Sequence, residues 1–83
     1  MILNYINPEW TFKEVVENIE VVKSQTEGII ASFSSSEIKK QIIFKRQLRN
    51  SIYSLKFEKW KKDRIIECIY DYFEIEKLQE MIK

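Results

Sequence analysis

The 83-residue chain contains no histidine and only one cysteine, one glycine and one proline. Without histidine it lacks the side chain that most often acts as general base near neutral pH, and the commonest metal ligand with it. With no histidine and one cysteine, a zinc site would need carboxylates alone, against that ion's preference for nitrogen and sulfur. The one cysteine, Cys68, cannot form an internal disulfide, so the fold needs no oxidising compartment. Phosphate-cradling loops need several glycines close together, and Gly28 stands alone. These absences remove the usual routes to catalysis, and the expectation is a protein that is not an enzyme and carries no cofactor.

Hairpins and tight turns consume glycine and proline, so their scarcity points to helices. No run of 18 apolar residues is present to span a membrane, and the opening MILNYINPEW has neither the basic start nor the long apolar run of a secretory signal. A cytoplasmic location and no membrane partner are therefore expected. With 45% hydrophobic and 33% charged residues the chain lies well away from the disordered regime. A domain this small buries only roughly 60 to 65% of the surface its unfolded form exposes, which makes association attractive.

Apolar spacing gives the elements. Asn7-Pro8 and Thr11 with Glu14 are helix-start signals, the second of them a capping box. Phe12, Val15, Ile19, Val22, Thr26, Ile29 and Phe33 then recur at alternating spacings of three and four, the seam of a coiled coil. The spacing predicts one helix over residues 9–33 that continues through Gly28; the alternative ends it near Glu27. Ser34 with Glu37 marks a second helix start, and Phe44, Leu48, Ile52 and Leu55 form one stripe of a helix over residues 36–55, with Ile38 and Ile42 at its edge. Phe57 and Trp60 are out of phase with that stripe, so a turn falls between residues 55 and 60. A third helix covers residues 59–81, its apolar face shifting after Phe73. Ile2, Leu3, Tyr5 and Ile6 are too apolar for a free tail and are expected to pack on the bundle.

The fold class that follows is all-α: a small antiparallel three-helix bundle, or a long helical hairpin with coiled-coil-like packing, in one domain. The seam residues Phe12, Val15, Ile19, Val22, Ile29 and Phe33 serve either helix packing or a homodimer, and self-association is the expectation.

The net charge of +1 conceals a strong sorting. Residues 1–36 carry five acids and two bases, and residues 65–83 again five acids and two bases, each block at −3. Residues 37–64 carry ten bases against three acids, a block at +7. Such a block either binds an anionic partner or is neutralised by its neighbours. The cations Lys39, Lys40, Lys45, Arg46 and Arg49 flank the apolar stripe of the second helix, where acids of the adjacent helices can pair with them. Lys56, Lys59, Trp60, Lys61, Lys62 and Arg64 mix rings with cations at the predicted turn, where fewer acids reach, and are the candidate surface for an anionic partner.

Other chemistry is weaker. Glu67, Asp71 and Glu74 form an acidic stripe that reads as a solvated face or one facing the basic second helix, because the oxygen-rich loop of a calcium site is missing. Cys68 reads as a small buried hydrophobe beside Ile65, Ile69 and Tyr72. Small helical adaptors, inhibitors, immunity proteins and antitoxins share this size and texture. The expected function is a protein-interaction module acting through a charged helical face; the alternative is a small nucleic-acid-binding regulator using residues 39–64. A helix-turn-helix is not discernible, since no short recognition helix follows a tight turn.

Overall fold

The computed structural model describes residues 6–83, and every regular element among them is a helix. Five helices follow one another: α1 (Phe12–Glu17), α2 (Ile19–Ser32), α3 (Ile38–Tyr53), α4 (Lys59–Ile69) and α5 (Ile75–Glu80). No helix among the described residues is long and apolar enough to cross a membrane. The all-α bundle expected from spacing is what the chain adopts, with the predicted first and third helices each divided in two. Of the apolar N-terminal residues, Ile6 is buried in the core; Ile2, Leu3 and Tyr5 lie outside the described residues.

The start of α1 is set by a reciprocal capping box. Glu14 N donates to Thr11 Oγ1 at 3.2 Å and Thr11 N donates to Glu14 Oε1 at 3.0 Å. Asn18 then ends α1 and opens α2: its φ of −103° and ψ of 5° are off-helix, and its side-chain amide donates to the Glu14 carbonyl at 2.8 Å. That competing bond explains the break, since asparagine offers the backbone a local alternative to the helical ladder. The apolar seam nevertheless continues in phase across it. Val15, Ile19 and Val22 are fully buried, and Phe12, Ile29 and Phe33 are half-buried. Thr26, the one polar member, is buried too and donates its hydroxyl to the Val22 carbonyl at 2.8 Å. Gly28 lies inside α2, as the continuous reading predicts, and is exposed.

At the α2–α3 connection Glu37 supplies only part of the expected capping box. Its carboxylate accepts from Ser34 N at 3.0 Å, Ser34 Oγ at 3.1 Å and Lys40 Nζ at 3.0 Å. Glu37 itself is the N-cap residue and makes no side-chain cap bond to the helix. The Ser34 backbone bond, followed by those from Lys40 and the Ser34 hydroxyl, lowers the Glu37 carboxyl to about 2. The turn is thus tied by an anion that stays ionised through the ordinary carboxylate range.

α3 ends at Tyr53, and residues 54–58 turn the chain back into α4, where the phase change between Leu55 and Trp60 placed a turn. α4 is the hub of the molecule, packed against α2, α3 and α5, while α1 packs on α2 and α5. Its buried face of Ile65, Cys68 and Ile69 meets Leu48, Ile52 and Leu55 in one core with Val15, Val16, Ile19, Val22 and Leu78. Cys68 is fully buried with Ile65 and Ile69, as expected, whereas Tyr72, expected beside them, is 81% exposed because the helix ends before it; burial pushes the Cys68 thiol up from the ordinary range.

The break between α4 and α5 has a specific geometry. Asp71 has φ +65°, Asp71 N donates to the Cys68 carbonyl at 3.2 Å and Tyr72 N donates to the Glu67 carbonyl at 2.7 Å. This is a Schellman ending with aspartate in the left-handed position that glycine usually takes. Lys23 of α2 forms an ion pair with the Asp71 carboxylate, and that bond raises the Lys23 ammonium above its ordinary value. The turn is therefore fastened to α2 by charge and to α4 by backbone bonds.

Candidate functional site

The molecule is elongated, with extents of 42 × 22 × 18 Å, because α3 outreaches its partner. Its 16 residues rise about 24 Å, whereas the 11 of α4 rise about 16 Å, and both start from the same turn. The C-terminal half of α3 buries Leu48 and Ile52 in the core. Its N-terminal half buries only Phe44, which lies outside the main core and stacks with Phe33 at 6.1 Å between ring centres. The rest of that half is uncovered: Ile38, Ile42 and Ile43 are 60%, 50% and 53% exposed.

These isoleucines stand among cations. Lys39, Lys45, Arg46 and Arg49 are all exposed on α3, and among the described residues none of the four forms an ion pair with an acid. Arg49 instead places its guanidinium 5.7 Å from the centre of the Tyr53 ring. Lys40 alone on this helix is paired, with Glu37. Between α3 and α4 runs a groove of about 400 Å³ that combines Ile42, Ile66 and Tyr70 with Lys45, Arg46 and Arg49. A smaller groove of about 200 Å³ lies on the other flank, at Phe33, Ile43 and Phe44.

The six residues expected to face an anionic partner at the α3–α4 turn are placed differently from one another. Lys62 donates from Nζ to the Tyr53 carbonyl at 2.8 Å, closing one of the open carbonyls at the end of α3. Beside it the Tyr53 hydroxyl donates to Asp63 Oδ1. Lys61 sits 5.1 Å from the Phe12 ring centre and 5.6 Å from that of Trp60, and pairs with Glu58 at 3.3 Å. Arg64 lies over the Phe73 ring at 4.9 Å and bonds Glu67 at 2.8 Å. Phe57 packs edge-on to Phe12 at 5.7 Å. Lys56, Lys59 and Trp60 remain on the surface.

The basic block thus divides in the opposite sense to its sequence neighbourhood. Sequence proximity suggested that the acidic helices would neutralise α3 and leave the turn open. Among the described residues, three of the five turn cations are engaged in the fold, and four of the five on α3 have no acidic partner. α4, not α3, lies at the centre, and of the ion pairs among the described residues only Lys23 with Asp71 joins distant parts of the chain, the other four being local pairs three residues apart. The signal that could have found the site is the pair Ile42-Ile43, two adjacent isoleucines of which one helix face can bury only one.

The acidic stripe is dispersed into separate ion pairs, Glu67 with Arg64, Asp71 with Lys23 and Glu74 with Lys77. Among the described residues no group of three or more acids or thiols is arranged to hold a metal ion. The seam residues expected to pack helices or to form a dimer are spent, wholly or in part, on packing within the chain. Comparison of the chain with protein-family models, with curated proteins and with solved structures finds no match.

Proposed function

We propose that this chain is a non-enzymatic interaction module that binds a protein partner through the exposed face of α3. The observation that carries it is the coincidence on one helix of three half-exposed isoleucines and four cations without acidic partners among the described residues. Apolar residues on a surface are ordinary when scattered; three on one half of one helix with cations between them are the pattern of a docking helix. The chemistry missing from the sequence agrees with a binding role: there is no histidine, and the one thiol is buried.

The nucleic-acid reading rests on the same cations, and salt dependence separates the two. Proteins that neutralise several phosphates lose affinity steeply as salt rises. In titrations of the chain against generic duplex and single-stranded DNA at low and moderate salt, the protein-binding reading predicts no saturable complex. A complex that forms at low salt, weakens steeply with added salt and is lost in Lys45→Glu/Arg46→Glu would overturn it in favour of a nucleic-acid regulator.

A further inference from the structure

Taking the exposed face of α3 as a protein-docking surface, we propose that the groove between α3 and α4 receives an acidic amphipathic helix of a partner protein. The apolar part of the groove comes from Ile42 on one side and Ile66 with Tyr70 on the other. Lys45, Arg46 and Arg49 border it from α3, and the lining segment from Ile42 to Arg49 spans about 10 Å, or two helical turns. A stretch of that length with an apolar strip between cations suits a short helix that offers apolar side chains inward and carboxylates to either side. The carboxylate on the α4 side, Glu67, is bonded to Arg64 at 2.8 Å, so the electrostatic character of the groove is set by α3.

Charge selects among the occupants. Duplex nucleic acid would satisfy the three cations but has no apolar side chain for the space between Ile42 and Ile66. The same helix from a second copy would bring Lys39, Lys45, Arg46 and Arg49 against their own counterparts, and like charges across an interface are costly. An acidic helix pairs the cations and covers Ile42 and Ile66 together. The apolar strip supplies affinity while the charges supply orientation.

The test uses a labelled synthetic helical peptide of about 15 residues, long enough to hold a helix, with leucines on one face and glutamates beside them. A second peptide has glutamine in place of every glutamate. Titrated onto the full chain, the acidic peptide is expected to bind at least about tenfold more tightly than its glutamine twin, a difference of about 1.4 kcal/mol. Arg46→Glu/Arg49→Glu is expected to remove that preference, and Ile42→Asp to weaken both peptides, with helicity by circular dichroism unchanged because all three residues are exposed. Equal binding of the two peptides, or a preference that survives Arg46→Glu/Arg49→Glu, would overturn the acidic occupant. A mass that doubles with concentration and returns to monomer in Arg46→Glu/Arg49→Glu would overturn it too, assigning the groove to a second copy, whose exposed Glu17, Glu20 and Val21 carry similar chemistry. If neither peptide binds while a native protein partner is lost on the Ile42→Asp change, the docking face stands and only the acidic helix is overturned.

Discussion

Lys59 and Lys62 lie three residues apart on α4 and carry the same charge, yet their ammonium groups end in different places. Lys59 is exposed, whereas Lys62 reaches the Tyr53 carbonyl at 2.8 Å and shares in closing the end of α3. A hydrogen bond of this kind contributes about 0.5 to 1.5 kcal/mol net, and its removal leaves a half-buried carbonyl open. Lys62→Ala is therefore expected to lower the melting temperature by several degrees, at about 4 to 8 °C per kcal/mol for a domain of this size, while Lys59→Ala changes it little. Thermal unfolding followed by circular dichroism checks the pair, and equal shifts would contradict the structural role given to Lys62. Sequence alone could not separate these two lysines. Their identity and spacing are the same signal, and the difference lies in a contact with a residue nine positions upstream.

The elements themselves were largely legible. Periodicity located the apolar seam, the turn after Leu55 and the continuity of α2 through Gly28, because burial follows helical phase. Two boundaries were not legible, for one physical reason. Asn18 and Asp71 are polar residues able to leave helical geometry through local bonding, Asn18 through its side chain and Asp71 by tolerating a left-handed backbone. Glycine would have announced the second break, and none stands there. The unequal lengths of α3 and α4 have a measurable consequence. Ile65, fully buried at the centre of the hub helix, is expected to cost about 2 to 5 kcal/mol on replacement by alanine. Ile43→Ala, on the uncovered half of α3, is expected to stay within about 0.5 kcal/mol of the parent. Urea unfolding of the two variants measures both, and a large loss at Ile43 would mean that this half of α3 is packed in solution.

For the whole molecule, the sorting of charge along the chain becomes an asymmetry in space. Among the described residues, Lys61 and Arg64 of α4 are paired with acids, while Lys39, Lys45, Arg46 and Arg49, four cations without an acidic partner, stand together on the long helix that extends past the core. Of the candidate site, the sequence disclosed the charge and its block structure but pointed to the turn rather than to α3. Choosing between them required knowing which helix sits at the centre, and three helices of similar texture do not reveal their packing order. Docking of an acidic protein segment is the use proposed for this face, which is both positive and apolar.

The most direct measurement is an amide ¹H–¹⁵N shift map of the chain titrated with the acidic helical peptide. The predicted result is a saturable set of shifts confined to the residues lining the α3–α4 groove, centred on Ile42, Arg46, Arg49 and Ile66, with Lys56, Lys59 and Trp60 unmoved. Shifts centred on Lys56, Lys59 and Trp60 would contradict the assignment of the docking site to α3, and none at peptide concentrations well above that of the protein would contradict the acidic helical occupant.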